Sequence, residues 1–159
     1  MTRETDLIHL RRCVDLATKA LDAGDEPFGS VLVAADGAVL KEDRNRVADG
    51  DQTRHPEFEL ARWAANNMTP ADRARATVYT SGEHCPMCSA AHAWVGLGRI
   101  AYVCSSLQLA EWLRELGVPP PPVCTLAIND VAPHIPVDGP YPELSDEVHQ
   151  LHRRLHAGR

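Results

Sequence analysis

The sequence predicts an α/β fold in which helices pack on a mainly five-stranded sheet that begins with a hairpin. Segments with apolar residues at helical spacing alternate with short apolar runs, in the order α-β-β-α-β-α-β-α-β-α. The dipeptide Asp36-Gly37 separates the first two apolar runs, and such a pair is a strong signal for a two-residue hairpin turn.

The individual elements follow from periodicity and from the residues at their ends. Leu7, Leu10 and Val14 begin a helical series that Gly24 ends as a C-cap. Pro56 lies in the first turn of the next helix, where proline is tolerated. The predicted helices span about 7–21, 56–65, 86–95, 107–116 and 143–155. The predicted strands span 30–35, 39–41, 76–80, 99–104 and 123–128, and the prolines at 119–122 form a stiff surface connector.

The composition is that of one globular domain, which we predict to span residues 1–159. The formal net charge of −6 disfavours a phosphate backbone as an obligatory partner, so nucleic acid is an unlikely ligand. The amino terminus is polar, and no stretch approaches the roughly 20 apolar residues of a membrane span, so neither a signal peptide nor a membrane segment is predicted. The five cysteines, an odd number without a secretion signal, favour a reducing cytoplasm.

Cys85 and Cys88 are spaced as two ligands of a tetrahedral zinc site, and three histidines compete for the third position. His84 adjoins Cys85, so binding by both residues would require strain. His92 follows Cys88 by one helical turn, and geometry alone does not exclude it. His55 is followed two residues later by Glu57, and hydrolytic zinc chemistry needs three protein ligands, an open position and a base beside it.

The chain resembles the cytidine/deoxycytidylate deaminase superfamily, within it the branch of guanine deaminases and tRNA-type adenosine deaminases. The resemblance runs from about residue 27 to 104 and rests on four features: PFGSVLV at 27–33, Asn45, HPE at 55–57 and TSGEHCPMC at 80–88. It implies a three-layer α/β/α deaminase-like fold with a mixed five-stranded sheet. Relatives are commonly homodimers with their sites near the interface, so the resemblance also implies a homodimer for this chain.

The resemblance implies that His55, Cys85 and Cys88 bind one zinc ion, with water in the fourth position. Glu57 would take a proton from that water, pass it to a ring nitrogen and later protonate the leaving amine. Glu83 corresponds to a glutamate that serves guanine deaminase relatives as a second acid, and the alternative is a cap of the helix that follows.

The resemblance suggests four substrate contacts, each with an alternative. Asn45 would hydrogen-bond the substrate or act as a turn residue, and Phe28 would pack near the base or in the core. His84 replaces the usual proline at the rim, where it would contact the base or be an exposed imidazole without a role. Tyr141 would cover a base from a flap in the carboxy-terminal segment, about 139–159, or belong to a turn before the last helix.

The leading hypothesis is therefore hydrolytic deamination of a free nucleobase-like aminoheterocycle: guanine, a cytosine analogue, a modified base or an amino-s-triazine. A tRNA adenosine substrate lacks support from clustered basic residues, and a nucleotide substrate would need an arginine fork that the sequence does not reveal. From another class, a non-catalytic zinc-stabilised domain would need a protein residue as fourth ligand, for instance His92 or Cys104.

Overall fold

The structure, a computed structural model, describes residues 1–157. Its strands are β1 (Gly29–Val33), β2 (Val39–Arg44), β3 (Thr77–Gly82), β4 (Arg99–Cys104) and β5 (Val137–Asp138). Its helices are α1 (Arg3–Asp22), α2 (Pro56–Asn67), α3 (Pro70–Arg75), α4 (Pro86–Trp94), α5 (Ser106–Glu115), α6 (Ile128–Val131) and α7 (Pro142–His156), with a 3-10 helix at Val47–Asp49. Residues 158 and 159 of the predicted carboxy-terminal segment lie outside the described residues.

The five strands form one mixed sheet in the order β2-β1-β3-β4-β5. The hairpin pairs β1 with β2, and β1 also lies antiparallel to β3. The pairs β3/β4 and β4/β5 are parallel, each connected through helical segments as parallel strands require. The predicted mixed α/β sheet and its amino-terminal hairpin are confirmed. The predicted two-residue turn is wrong: the Gly37 N–H bonds to the Ala34 carbonyl, so the turn comprises residues 34–37, and Gly37 alone of Asp36 and Gly37 has a positive φ.

Helices cover both faces of this sheet and form two apolar clusters. Val31 and Val33 of β1 point to one face, where they are buried in a cluster with residues of α1 and α7. Leu32, between them, points to the other face and packs in a cluster with Leu60 of α2. Because successive strand residues alternate between faces, the apolar run of β1 is buried on both sides.

The last predicted strand is wrong. Residues 123–128 lead into α6, and Val123 and Leu126 are exposed. The outer edge of β4 is instead taken by Val137, which pairs with Ile100. A strand needs a free sheet edge as well as an apolar run, and a local pattern does not show which segment reaches that edge. The two short helices α3 and α6 were not predicted, since four to six residues are too few to establish a helical period.

The amino-terminal end of the parallel strands is held by a buried polar cluster around Asp6 of α1. Its carboxylate accepts hydrogen bonds from Tyr79 at 2.7 Å, Tyr141 at 2.8 Å and both terminal nitrogens of Arg99 at 2.9 and 2.7 Å. Burial alone would raise the pKa of Asp6, but these donors lower it to about 2. Among the described residues, no helix has both the length and the apolar character needed to cross a membrane.

Candidate active site

Two helix N-termini meet beside the end of β3. His55 is the N-cap of α2 and Cys85 is the N-cap of α4, and each is followed by a proline in the first helical turn. Cys88 lies in the first turn of α4 and is fully buried. The partial positive charge at the two N-termini favours anionic thiolate groups at this place.

His55, Cys85 and Cys88 are close enough to share one ion, with their ligand atoms all within 4.8 Å of one another. The Nδ1 atom of His55 lies 3.5 Å from the Cys85 sulfur and 3.6 Å from the Cys88 sulfur. A nitrogen at about 2.1 Å and a sulfur at about 2.3 Å from a tetrahedral zinc ion are separated by about 3.6 Å. The three residues therefore fit a zinc ion, and Nδ1 is the nitrogen that faces it.

Ionisation within this cluster agrees with its metal-binding character. The contact with the Cys88 sulfur lowers the pKa of Cys85 to about 4. The same contact, together with burial, raises the pKa of Cys88, so the paired sulfurs hold a thiolate and a thiol. The hydrogen bond with Cys85 raises the pKa of His55 to about 9. A divalent cation replaces the protons that these groups share.

Glu57, the predicted acid–base residue, is buried in the first turn of α2, two residues after the metal ligand His55. Burial raises the pKa of Glu57, which is the direction that suits a group exchanging protons near neutral pH. Its Oε1 atom accepts a hydrogen bond from the Thr80 hydroxyl at 2.7 Å and another from the Ser30 hydroxyl at 3.1 Å.

Ser30 and Thr80, which hold the Glu57 carboxylate, were not singled out by sequence reasoning. They lie opposite each other on β1 and β3, and the Ser30 hydroxyl is 2.9 Å from the Thr80 oxygen. Both are fully buried, so the pair orients one oxygen of Glu57 without contact with bulk water. The signal available in the sequence was a hydroxyl residue within each of two otherwise apolar strands.

Asn45 makes the turn contact that was one of its two predicted roles, and its role as a substrate contact stays a prediction. Its side-chain oxygen accepts a hydrogen bond from the Val47 backbone N–H at 3.1 Å, which is the turn contact. Its Nδ2 atom is buried and has no hydrogen-bond partner among the described residues. A buried, unsatisfied donor costs free energy unless a ligand or water accepts its hydrogen bond.

Phe28 packs directly beside the loop that carries the metal ligands. A Cβ added to Gly82, at the end of β3, would lie 3.1 Å from the Phe28 ring. The other side of that ring contacts His152 of α7 edge-on, with ring centroids 5.1 Å apart. Phe28 is half-buried, and these two contacts place its ring between α7 and the end of β3.

Glu83 does not cap the helix that follows it, since its carboxylate binds two other helices. One oxygen accepts a hydrogen bond from the Ser106 N–H at 2.7 Å, at the start of α5. The other accepts one from the Ile128 N–H at 2.9 Å, at the start of α6. A carboxylate is the group that suits the positive ends of two helices, so Glu83 ties both helices to the metal-binding loop.

His84 is not at an exposed rim, contrary to expectation. It is 1% exposed, and neither ring nitrogen has a hydrogen-bond partner among the described residues. Its ring packs edge-on against His92, with centroids 5.3 Å apart, because the loop turns inward before α4 begins. His92 in turn bonds through Nε2 to the Gly98 carbonyl at 2.7 Å.

The other predicted contributors lie away from the cluster. Tyr141 is buried in the core between α1, α7 and the sheet, on the face opposite α2, where its hydroxyl binds Asp6. It therefore does not cover the metal ligands of its own chain. Cys104 is buried, with its sulfur 3.5 Å from the Ser81 carbonyl oxygen. Within residues 1–157, neither Cys104 nor His92 belongs to the metal-binding group.

Fold and site together define a zinc protein with three ligands at two helix N-termini and a buried carboxylate beside them. The chain belongs to the cytidine and deoxycytidylate deaminase family, whose zinc-binding region matches residues 3–104. That match contains the zinc ligands and Glu57, so the predicted family and its zinc cofactor are confirmed.

The relatives include deaminases of free bases and of tRNA, such as the tRNA-specific adenosine deaminase of Haemophilus influenzae, which is 33% identical over 89 residues, 55% of this chain and 51% of the relative. The probable cytosine deaminase of Schizosaccharomyces pombe is 36% identical over 142 residues, which cover 88% of this chain and 86% of the relative. The guanine deaminase of Bacillus subtilis is 36% identical over 104 residues, 64% of this chain and 66% of the relative. The structure of guanine deaminase from Nitrosomonas europaea superposes with a TM-score of 0.71 over 94% of this chain and 83% of that one. At 20% identity, this likeness shows the fold alone.

Proposed function

We propose that this protein catalyses the hydrolytic deamination of a free nucleobase-like aminoheterocycle, releasing ammonia. The observation that carries the proposal is Glu57, a buried carboxylate held by two hydroxyls beside a three-ligand zinc site. A structural zinc site needs four protein ligands and no carboxylate of this kind. The candidate substrates are guanine, a cytosine analogue, a modified base and an amino-s-triazine.

Glu57 carries the proton transfers in the proposed reaction. Zinc held by His55, Cys85 and Cys88 supplies an activated water at neutral pH. Glu57 takes one proton of the attacking water and gives it to a ring nitrogen of the substrate. It then takes the remaining proton of the added hydroxyl, as the carbonyl forms, and gives it to the departing amino group. Since Oε1 is held by Ser30 and Thr80, Oε2 is the oxygen that exchanges the proton. The C–NH₂ group becomes a carbonyl and ammonia leaves.

Asn45 and Phe28 are the proposed substrate contacts. The unsatisfied Nδ2 group of Asn45 donates to a ring nitrogen or carbonyl oxygen of the base, which removes the cost of leaving this donor unpaired. Phe28 offers an aromatic wall at the end of β3. Glu83 and His84 support the loop that carries the ligands rather than contact the substrate, because one binds two helices and the other packs on His92.

We also infer that the protein forms a homodimer through the outer face of α4. Trp94 is 89% exposed at the end of this helix, and Ala90 and Met87 lie on the same face one and two turns earlier, respectively. An apolar stripe with an exposed tryptophan is typical of an interface. Light scattering after size exclusion should give a dimer that Trp94→Lys converts to a monomer, and a dimer that persists would contradict this interface.

The test of the function is ammonia release by zinc-loaded protein from guanine, cytosine, adenine, amino-triazines, their nucleosides and a tRNA. We expect turnover of one free base and almost none by Glu57→Gln, which keeps the shape of the side chain. Glu115→Gln, at an exposed glutamate at the end of α5, is the matched control and should keep wild-type turnover. Absence of ammonia from every compound, with one zinc bound per chain, would refute the proposal.

A further inference from the structure

A cleft of about 380 Å³ opens on the outer side of His55. It lies between the edge strand β2, the segment 46–54 and the first two turns of α2. Charged side chains from all three of these elements line its walls: Lys41, Asp43, Arg46, Asp51, Arg54, Glu59 and Arg62.

Strand pairing directs the β2 side chains into this cleft. Lys41 pairs with Leu32 and Asp43 pairs with Ser30. Directly opposed residues of an antiparallel pair point to the same face, and Leu32 and Ser30 face α2. The cleft is thus on the same face of the sheet as Glu57. His55 is the residue shared by both places, with Nδ1 facing the two sulfurs and its ring lining the cleft.

The cleft is locally cationic in a chain with a formal net charge of −6. Four cationic side chains line it, against three carboxylates. Arg46 binds Asp43 at 3.2 Å, and Arg54 lies 3.6 Å from Asp49 in an exposed ion pair. Asp51 accepts hydrogen bonds from the backbone and hydroxyl of Thr53. No ion pair of Lys41 or Arg62 occurs among residues 1–157, so the cleft retains positive charge without an anionic partner.

We infer that this cleft binds the phosphate group of a small-molecule ligand next to the zinc ligand His55. Guanidinium groups bind phosphate through two parallel hydrogen bonds, and Arg46, Arg54 and Arg62 meet here with the point charge of Lys41. The three carboxylates around them disfavour a long polyanion, because neighbouring phosphates of a nucleic acid would face them. The phosphate belongs either to the ring substrate itself or to a separate molecule.

Calorimetric titration of the zinc-loaded protein with inorganic phosphate tests the site. We expect saturable binding that weakens at least about tenfold in Arg62→Glu and further in Arg46→Glu/Arg62→Glu, because each change removes a cation and adds a repelling charge. Arg153→Glu, an exposed arginine on α7, is the matched control and should bind as the wild type. Absence of binding, or equal binding by all variants, would overturn the inference, since phosphate on the zinc ion alone would survive these changes.

A second experiment separates the two sources of the phosphate and rests on the proposed function. If the substrate carries the phosphate, kcat/KM for a nucleoside monophosphate exceeds that for the free base at least about tenfold and falls in Arg62→Glu. If a separate molecule carries it, free-base turnover is preferred and Arg62→Glu loses phosphate binding alone. If the wild type binds a tRNA but not inorganic phosphate, and Arg62→Glu abolishes the tRNA binding, the inference of a small-molecule ligand would be overturned. If no compound is turned over, the proposed function fails, but the calorimetric test of phosphate binding still decides the inference because it does not depend on catalysis.

Discussion

Thr80→Val tests whether a buried hydroxyl sets the orientation of Glu57. The Thr80 hydroxyl lies 2.7 Å from Glu57 Oε1, and valine keeps the shape of threonine without its donor. A hydrogen bond to a charged group contributes about 1.5–3 kcal/mol. If that energy stabilises the position from which Glu57 transfers protons, its loss lowers kcat about 10- to 150-fold. The KM should change little, because the proposed substrate contacts do not include Thr80.

The assay is ammonia release on the preferred base, with zinc content measured for each variant. Thr77→Val is the matched control, since Thr77 is buried on the same strand with its side chain on the opposite face. Thr80→Ser retains the hydroxyl and should recover most of the rate. A kcat for Thr80→Val within about twofold of the wild type, or an equal loss in Thr77→Val, would refute the reasoning.

Four further predictions concern metal binding and stability. Cys85→Ser should reduce bound zinc from one per chain to close to none and lower the thermal midpoint, as metal analysis and calorimetry will measure. Asp6→Ala should lower the free energy of unfolding by about 3 kcal/mol, because it removes the carboxylate that accepts hydrogen bonds from Arg99, Tyr79 and Tyr141 and leaves the two buried hydroxyls without this acceptor. In the wild type, the Asp6 carboxylate has a depressed pKa of about 2, so its contribution, up to about 2 kcal/mol, is present above pH about 4 and is lost as the pH falls towards 2; urea titrations across this range should show the loss. Gly29→Ala should destabilise by at least about 2 kcal/mol in the same titrations, since its Cβ would lie 2.4 Å from the Cys13 carbonyl oxygen. Gly37→Ala meets no atom within 4 Å, so it carries only the backbone strain of its φ of +91° and should cost less.

The two segments that carry the metal ligands could be predicted because each is a short local pattern. Cys85 and Cys88 share the first turn of one helix, so their spacing alone indicates a common ion. His55 and Glu57 occupy the first turn of another helix in the same way. The order of most helices and strands was likewise predicted, since hydrophobic periodicity depends on neighbouring residues only.

Other features depend on partners that are distant in sequence. His84 was expected at an exposed rim, but the packing of α4 against the metal-binding loop buries it against His92. Tyr141 was expected near a substrate, but its hydroxyl satisfies Asp6 from the other end of the chain. A polar or aromatic residue has no fixed location until its partner is known, so its local sequence does not distinguish a site from a core.

The amino-acid sequence by itself was enough to predict the family, the zinc-binding residues, the carboxylate of Glu57 beside them and the mixed sheet with its hairpin. Only the tertiary structure decided which strand occupies the outer edge of β4, which hydroxyls hold Glu57 and which cations meet beside His55. The physical reason is that strand register and helix packing bring together residues separated by tens of positions. Those contacts depend on the whole fold, whereas ligand spacing and helical periodicity are properties of a few consecutive residues.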